Sequence, residues 1–258
     1  MNNNPIGVFD SGFGGLSVWQ VLHRRLPNES IVFLGDGKNC PYGVRSRQEI
    51  CGFADQAVQT LLDKGCKLIV VACNTATAMA IDYLRATYQQ IRFVGLEPAV
   101  KPACLTTKTG VVGVLATARS LEGELFRRTA AKYSDTVKIL TAVGEGFVEA
   151  VENDAEDRPE TELLVRKALM PMLEHGADKI VLGCTHYPFL RHVMERITVG
   201  MEVDIIDSGE AVARRTYQLL EADNLLAEQS NKPVYEFITF GDETYRQRLE
   251  QKAFAGEI

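Results

Sequence analysis

The stretch Leu68-Ile69-Val70-Val71-Ala72-Cys73-Asn74-Thr75 joins a run of apolar residues directly to a cysteine and two hydrogen-bonding side chains. The segment Ile180-Val181-Leu182-Gly183-Cys184-Thr185-His186 repeats this pattern. Short apolar runs rich in β-branched residues are typical of strands buried on both faces. Because a helical pattern follows each run, each cysteine is predicted at the C-terminal edge of a strand, where open α/β sheets bind ligands. Two such thiols favour a site in which both face one substrate.

The same alternation of strands and helices continues along the chain. Strand-like runs lie at 5–10, 30–35, 67–72, 91–96, 110–115, 137–142, 178–183, 203–207 and 235–240. Helical patterns lie near 14–26, 46–64, 76–89, 119–133, 161–175, 189–197 and 210–227. Ser46-Arg47-Gln48-Glu49 fits a capping box at the start of the second helix. The fold class predicted is therefore α/β, with largely parallel sheets flanked by helices.

Two similar domains are expected rather than one. The stretch Gly95–Pro102 contains two prolines and breaks the periodicity, and Asp207–Gly209 offers a second crossing point. The first domain would be discontinuous, 1–97 plus 208–258, and the second would be 98–207. Because no long linker rich in Gly, Ser or Pro separates them, the domains would pack together and hold the active site in the cleft between them.

Composition excludes several classes of function. Apolar residues make up 46% and charged residues 24% of the 258 residues, which is ordinary for a globular protein with a real core. The net charge of −6 argues against a nucleic-acid-binding surface. No apolar stretch approaches the length of a membrane span. The segment Met1–Pro5 lacks the features of a signal peptide, so a cytoplasmic protein is expected.

Six cysteines occur without a CxxC pair, so thioredoxin-like and zinc-ribbon spacings are absent. Cys51, Cys66 and Cys104 are interpreted as small buried hydrophobes. Cys73 precedes a helix that begins near Thr75, and a helix N-terminus favours the thiolate, so this cysteine suits a base or a nucleophile. Cys184 is expected in the same position on its own strand, with His186 close by. That both are inert core cysteines stays open.

Two glycine-containing loops and three threonines complete the set of candidate binding groups. The loop Asp10-Ser11-Gly12-Phe13-Gly14-Gly15 follows the first strand, and its glycines allow backbone N–H groups to approach an anion. It lacks the dinucleotide fingerprint, and an ordinary turn is the alternative. The loop Cys40-Pro41-Tyr42-Gly43 offers N–H groups to a carboxylate. Thr75, Thr117 and Thr185 each follow a strand, where a hydroxyl suits a small amino-acid ligand or a helix cap.

These motifs together resemble those of the glutamate racemases. The matching segments, in order, are Asp10–Leu16, Pro41–Gly43, Ala72–Ala76, Leu115–Thr117, Val151-Glu152, Gly183–Pro188, Asp207–Gly209 and Gly241-Asp242. Any one of them is a weak signal, but their common order and spacing is a strong one. The resemblance covers essentially the whole chain.

The resemblance implies an enzyme that needs no cofactor and no metal, with D- and L-glutamate as substrates in the cleft between two α/β domains. It implies that Cys73 deprotonates D-glutamate with help from Asp10, and that Cys184 deprotonates L-glutamate with help from His186. It further implies a homodimer that supplies D-glutamate for peptidoglycan. The residues implied to hold the substrate are Ser11, Tyr42, Gly43, Asn74, Thr75, Thr117 and Thr185.

Three segments depart from the family pattern, and three other functions remain open. Asp36-Gly37-Lys38-Asn39-Cys40 replaces the usual Asp-Thr-Ala-Arg, Ser120 replaces a threonine, and Gly144-Glu145 replaces Cys-Pro. These changes are expected to alter loop contacts and ligand affinity but not the reaction. The alternatives are a related aspartate or hydantoin racemase, a non-catalytic amino-acid-binding protein, and a metal-dependent hydrolase. The hydrolase would use as ligands Asp10, Cys73, Cys184 and His186.

Overall fold

Two parallel sheets organise the computed structural model, which describes residues 1–256; residues 257–258, the end of the predicted first domain, lie outside the described part. The first sheet has the order β4-β3-β1-β2-β9, with β1 (Ile6–Asp10), β2 (Ile31–Gly35), β3 (Leu68–Val71), β4 (Arg92–Gly95) and β9 (Tyr235–Thr239). The second has the order β6-β5-β7-β8, with β5 (Val111–Ala116), β6 (Lys138–Val143), β7 (Lys179–Gly183) and β8 (Asp204–Ile206). Every neighbouring pair is parallel. The predicted α/β class and all nine predicted strands are confirmed.

Helices connect the strands throughout the described residues. They are α1 (Leu16–Arg25), α2 (Arg47–Asp63), α3 (Asn74–Thr87), α4 (Val100–Thr106), α5 (Ala118–Glu122), α6 (Glu124–Ala131), α7 (Phe147–Glu152), α8 (Pro159–Glu174), α9 (Arg191–Ile197), α10 (Gly209–Ala222) and α11 (Glu243–Phe254). Two short 3-10 helices span Tyr42–Val44 and Tyr187–Leu190. The capping box of α2 is present: Glu49 N–H donates to Ser46 Oγ, and Ser46 N–H donates to the Glu49 carboxylate.

The helix predictions differ from the structure in two respects. The single helix expected over 119–133 is broken at Gly123, whose extended backbone starts α6, and a Cβ there would lie 2.8 Å from Ala78 Cβ of α3. Helices α4, α7 and α11 were not predicted. Helices α4 and α7 are too short to show a clear period, and α11 buries only Leu249 and Ala253 among polar residues.

Both faces of each sheet are covered by helices. On β1, Val8 packs into a core with Trp19 of α1, whereas the next residue, Phe9, packs on the opposite face with Ile50 of α2. The second sheet likewise has a separate apolar core on each face. This double burial explains why the strands read as continuous apolar runs in the sequence.

The chain passes from the first sheet to the second after β4 and returns after β8. Helix α4 packs against β5 and β7, and α10 packs against α1 and β4. Ser208 Oγ donates to the Glu97 carbonyl at 2.5 Å and so joins the two crossings. We propose on these contacts that the domains are 1–97 plus 208–258 and 98–207. Within residues 1–256 no helix is both long and apolar enough to cross a bilayer.

Candidate active site

Cys73 lies directly after β3 and is the N-cap of α3. Its sulfur accepts a hydrogen bond from the backbone N–H of Ala76 at 3.4 Å, and its thiol donates to Ser11 Oγ at 3.6 Å. Burial raises the pKa of Cys73, the charge of Asp10 raises it further, and these two hydrogen bonds only partly oppose them. These effects favour the protonated thiol of Cys73, although its position at a helix N-terminus is as predicted.

Cys184 follows β7 and is also buried, but it does not cap a helix. The 3-10 helix Tyr187–Leu190 begins three residues later, so the expectation that both thiols lie at helix N-termini is correct for Cys73 and wrong for Cys184. The polar neighbour of Cys184 is instead His186, whose Nδ1 lies 3.9 Å from the sulfur. The two thiols thus have different electrostatic environments.

Glu152, at the end of α7, forms a buried ion pair with His186. His186 Nε2 donates to Glu152 Oε1 at 2.6 Å. Burial opposes a charge on the imidazole, but hydrogen bonds to Cys184, Cys40 and Glu152 and the charge of Glu152 raise the pKa of His186 well above its usual range. Burial also acts against the Glu152 carboxylate, yet the hydrogen bond and charge of His186 dominate and lower its pKa. Both shifts favour the charged pair, an imidazolium beside a carboxylate.

The glycine loop after β1 receives this carboxylate across the domain boundary. The backbone N–H of Phe13 donates to Glu152 Oε1 at 2.8 Å. A Cβ on Gly12 would lie 2.1 Å from Glu152 Oε1, and one on Gly14 would lie 2.3 Å from His186 Nδ1. The loop approaches an anion, as its sequence predicted, and the anion in this structure is a side chain of the same protein.

Helix α11 holds the other side of Glu152. Tyr245 OH donates to Glu152 Oε2 at 2.8 Å, and the Tyr245 ring stacks on Phe13 with centroids 4.4 Å apart. A Cβ on Gly37 would lie 2.4 Å from the Tyr245 ring. Gly37, which departs from the family pattern, therefore leaves the space that this ring occupies. No pattern in the sequence indicated Tyr245, and Glu152 was noted only as part of a matching segment.

Asp10 is fully buried, and its carboxylate is engaged mainly by its own loop. It accepts hydrogen bonds from the backbone N–H groups of Gly12 (3.1 Å) and Gly15 (2.9 Å) and from Thr185 Oγ1 (3.2 Å). Burial raises the pKa of Asp10. Among the hydrogen bonds of the described residues, Asp10 makes none to Cys73, so its action on that thiol is through charge.

The remaining predicted groups lie on α3, at the start of α5 and on the first 3-10 helix. The hydroxyls of Thr75, Thr117 and Ser120 lie 2.8 to 3.4 Å apart and join α3 of one domain to α5 of the other. Asn74 Nδ2 is buried without a hydrogen-bond partner among the described residues. Tyr42 OH donates to Asp36 at 2.7 Å, so the hydroxyl is occupied. The backbone N–H groups of Tyr42 and Gly43 lie in the first turn of a 3-10 helix, where an N–H has no hydrogen-bond partner within the helix.

One cavity beside Cys184 is small in the structure. It lies between Asn74, Cys184, Thr185 and Ser208 and measures about 10 Å³, room for one water molecule. A second cavity, of about 270 Å³, is lined by two of the predicted substrate-binding residues, Gly43 and Thr117. A larger cavity of about 530 Å³ lies between β6 and α8 but is lined by none of the predicted site residues.

Two buried thiols, Cys73 after a strand of the first sheet and Cys184 after a strand of the second, are the arrangement expected of a racemase that acts on a carbon acid. The comparison with known families is more specific. Residues 6–216 match the model of the Asp/Glu/hydantoin racemase family, so the chain belongs to that family. The family and fold predicted from the sequence are confirmed.

Individual relatives agree with this assignment. A glutamate racemase from Herpetosiphon aurantiacus is 46% identical over 251 residues, covering 97% of this chain and 98% of the relative. The structure of a glutamate racemase isoform from Bacillus anthracis matches with a TM-score of 0.88 at 32% identity, covering 100% of this chain and 96% of that one. The glutamate racemase of Francisella tularensis in complex with D-glutamate matches with a TM-score of 0.84 at 29% identity, with coverage of 100% and 96%.

Proposed function

We propose that this protein interconverts L-glutamate and D-glutamate by a two-thiol mechanism without a cofactor. The observation that carries the proposal is the juxtaposition of Cys73 and Cys184. Cys73 follows β3 and donates to Ser11, whereas Cys184 follows β7, where the adjacent Thr185 donates to Asp10 in the same loop as Ser11. The choice of glutamate is supported by the relatives that bear that name.

The chemical problem is that the α-proton of an amino acid is far less acidic than a thiol. The developing carbanion must be stabilised by preorganised hydrogen bonds in a site closed to water. Cys73 would take the proton from D-glutamate and Cys184 from L-glutamate, while the other thiol delivers a proton to the opposite face. The substrate then inverts without turning over, and the two thiols exchange protonation states in each turnover.

The electrostatics make the two thiols unequal. Burial and the charge of Asp10 keep Cys73 protonated and make its thiolate a stronger base once it forms. Cys184 faces the His186 imidazolium, which stabilises negative charge on the nearby sulfur. Asp10 assists Cys73, and His186 assists Cys184.

The substrate would be held by groups around the two cysteines. Asn74 Nδ2, buried without a partner among the described residues, supplies a donor for a carboxylate oxygen. The N–H groups that open the 3-10 helix at Tyr42 supply further donors to a carboxylate. Gly43 would contribute only its backbone N–H. The other side chains proposed to bind the substrate do so through their hydroxyl groups: Ser11, Thr75, Thr117 and Thr185.

The test is proton NMR of L-glutamate and of D-glutamate in D₂O with the wild-type protein. The α-proton signal of both enantiomers is expected to disappear while the optical rotation of the solution falls to zero. Binding of glutamate without exchange would identify a binding protein. Faster exchange of the α-proton of aspartate would assign the chain to the aspartate or hydantoin racemases. Loss of activity on adding EDTA would favour a metal-dependent hydrolase.

We also propose that the enzyme is a cytoplasmic homodimer that provides D-glutamate for bacterial peptidoglycan, as its resemblance to glutamate racemases implies. Rescue of a D-glutamate auxotroph by the wild-type gene, but not by a gene carrying a Cys73 substitution, would support the role. Sedimentation at micromolar concentration tests the dimer, and a monomer there would contradict it.

Replacing Glu152 with glutamine is expected to lower kcat/KM about 10-fold to 100-fold, because a hydrogen bond to a charged group is worth about 1.5–3 kcal/mol. The pH profile should change as well. The Glu152 charge raises the pKa of His186, so in Glu152→Gln the imidazolium loses its proton at a lower pH. The basic limb of the profile then moves to lower pH.

Two variants serve as controls for this measurement. Glu149→Gln changes an exposed residue of the same helix and should leave the profile unchanged. Tyr245→Phe removes one neutral donor to Glu152 and should cost about 2-fold to 10-fold in kcat/KM. An unshifted basic limb in Glu152→Gln would show that His186 protonation does not depend on Glu152.

A further inference from the structure

Cys40 is a third thiol at the active site, and the racemase mechanism does not use it. It is part-buried in the loop before the 3-10 helix, and its sulfur would lie 3.0 Å from a Cβ on Gly12. Single ligand atoms of Cys40, Glu152 and His186 all lie within 4.8 Å of one another. Because Cys40 comes from the first domain and the other two from the second, this Cys40–Glu152–His186 cluster bridges the cleft.

We propose that this cluster is a binding site for Zn²⁺, and that zinc occupying it inhibits the enzyme. A thiolate, an imidazole and a carboxylate are the three side-chain ligand types that zinc uses in proteins, whereas magnesium and calcium prefer oxygen ligands alone. Three protein ligands leave the fourth tetrahedral position to solvent. The hydrolase alternative expected a different ligand set, Asp10, Cys73, Cys184 and His186, and within residues 1–256 that set does not converge in this way.

The geometry of the ion pair supports the site. Glu152 Oε1 and His186 Nε2 are 2.6 Å apart because both direct a lone pair at one shared proton. Zinc bonds to N and O of about 2.1 Å at a tetrahedral angle need these atoms about 3.4 Å apart, so a shift below about 1 Å admits the ion. Gly12 has no side chain to oppose this shift, and Tyr245 fixes the second carboxylate oxygen as an outer partner.

Binding must release protons, because all three ligands have to offer lone pairs. The thiol of Cys40 and the imidazolium of His186 each lose one proton to solvent, and Zn²⁺ takes their places with no change of oxidation state. Burial raises the pKa of Cys40 to about 12, so removal of its proton weakens binding at neutral pH. Zinc affinity is therefore expected to rise with pH, about tenfold per unit for each proton released.

Inhibition follows from what zinc would remove. With zinc on its ring, His186 is no longer available as an imidazolium beside Cys184, and the cluster ties the two domains together beside the thiol. Both directions of the reaction should be blocked. The inhibitory part of this inference rests on the proposed function, whereas the binding of zinc does not.

The experiment is titration of the full-length protein with zinc chloride by calorimetry, repeated with cobalt chloride to detect the absorption of a cobalt–thiolate bond. Wild type is compared with Cys40→Ser, and Cys51→Ser serves as the matched control because Cys51 is also part-buried in the first domain. We expect at least tenfold weaker zinc binding and no cobalt–thiolate band in Cys40→Ser, with Cys51→Ser unchanged. Equal binding by wild type and Cys40→Ser would overturn the site.

Two further measurements separate this inference from its rivals. Cys184→Ala should bind zinc as wild type does; loss of binding in Cys184→Ala but not in Cys40→Ser would assign the metal to the racemase thiol and overturn the proposal. Zinc inhibition is then measured relative to the zinc-free rate of each variant. Wild type should be inhibited at a zinc concentration at least tenfold lower than Cys40→Ser, and equal inhibition would overturn it. A protein that binds zinc through Cys40 but never racemises glutamate would refute the proposed function alone.

Discussion

Serine in place of Cys73 or of Cys184 is expected to lower the rate of glutamate racemisation about 1,000-fold or more. A positioned general acid or base typically contributes 10²-fold to 10⁴-fold, and each thiol serves as base in one direction and as acid in the other. A serine hydroxyl has nearly the same size but is a much weaker acid, so it neither holds the negative charge nor delivers the proton. The loss is therefore chemical rather than structural.

The two variants should fail unequally when proton exchange is followed one enantiomer at a time in D₂O. Cys73→Ser keeps the base that faces L-glutamate, so residual exchange of the α-proton should be greater for L- than for D-glutamate. Cys184→Ser should show the opposite preference. Cys104→Ser, at a buried cysteine in the core of the second domain, is the control and should racemise normally. Wild-type racemisation by either active-site variant would refute the two-thiol mechanism.

The locations of these thiols could be predicted because parallel sheets impose simple rules on sequence. Strands buried on both faces read as apolar runs, and a polar residue that follows such a run lies at the ligand-binding edge of the sheet. This reasoning placed Cys73, Cys184 and Thr185 correctly at the ends of β3 and β7. It could not show that only Cys73 caps a helix, because Thr185 and His186 separate Cys184 from the 3-10 helix that follows.

The partners of His186 could not be predicted in the same way. Glu152 meets His186 across 34 residues of chain, and Tyr245 meets Glu152 across 93. Neither contact leaves a local pattern in the sequence. The glycines at 12 and 37 are the nearest thing to a signal, since each leaves space for a side chain from elsewhere in the fold. Only the tertiary structure shows which side chain fills that space.

A buried ion pair between Lys67 and Glu29 lies at the amino-terminal ends of the strands of the first sheet, away from the thiols. We expect it to affect stability rather than catalysis. Lys67 Nζ lies 2.6 Å from Glu29 Oε2, and the two side chains are 2% and 3% exposed. Lys67 Nζ also donates to the Asn2 carbonyl at 2.5 Å, and the backbone N–H of Ala227 donates to Glu29 Oε1 at 2.8 Å. The pair therefore joins the starts of β2 and β3 to the N-terminal segment and to the chain between α10 and β9.

Lys67→Met is expected to lower the free energy of unfolding by about 3–5 kcal/mol, because it leaves the Glu29 carboxylate buried without its partner. The second substitution Glu29→Gln should recover part of this loss, since it removes the unpaired charge and keeps an oxygen for the Ala227 N–H. Urea unfolding followed by circular dichroism measures both.

Lys64→Met is the control: Lys64 pairs with Glu236 at the surface, where both side chains are more than 40% exposed, and its loss should cost less than about 1 kcal/mol. Equal losses for Lys67→Met and Lys64→Met would show that burial does not strengthen the pair. Because Lys67 lies at the sheet edge opposite the thiols, the folded variant should still exchange the α-protons of both enantiomers, which separates this effect on stability from any effect on catalysis.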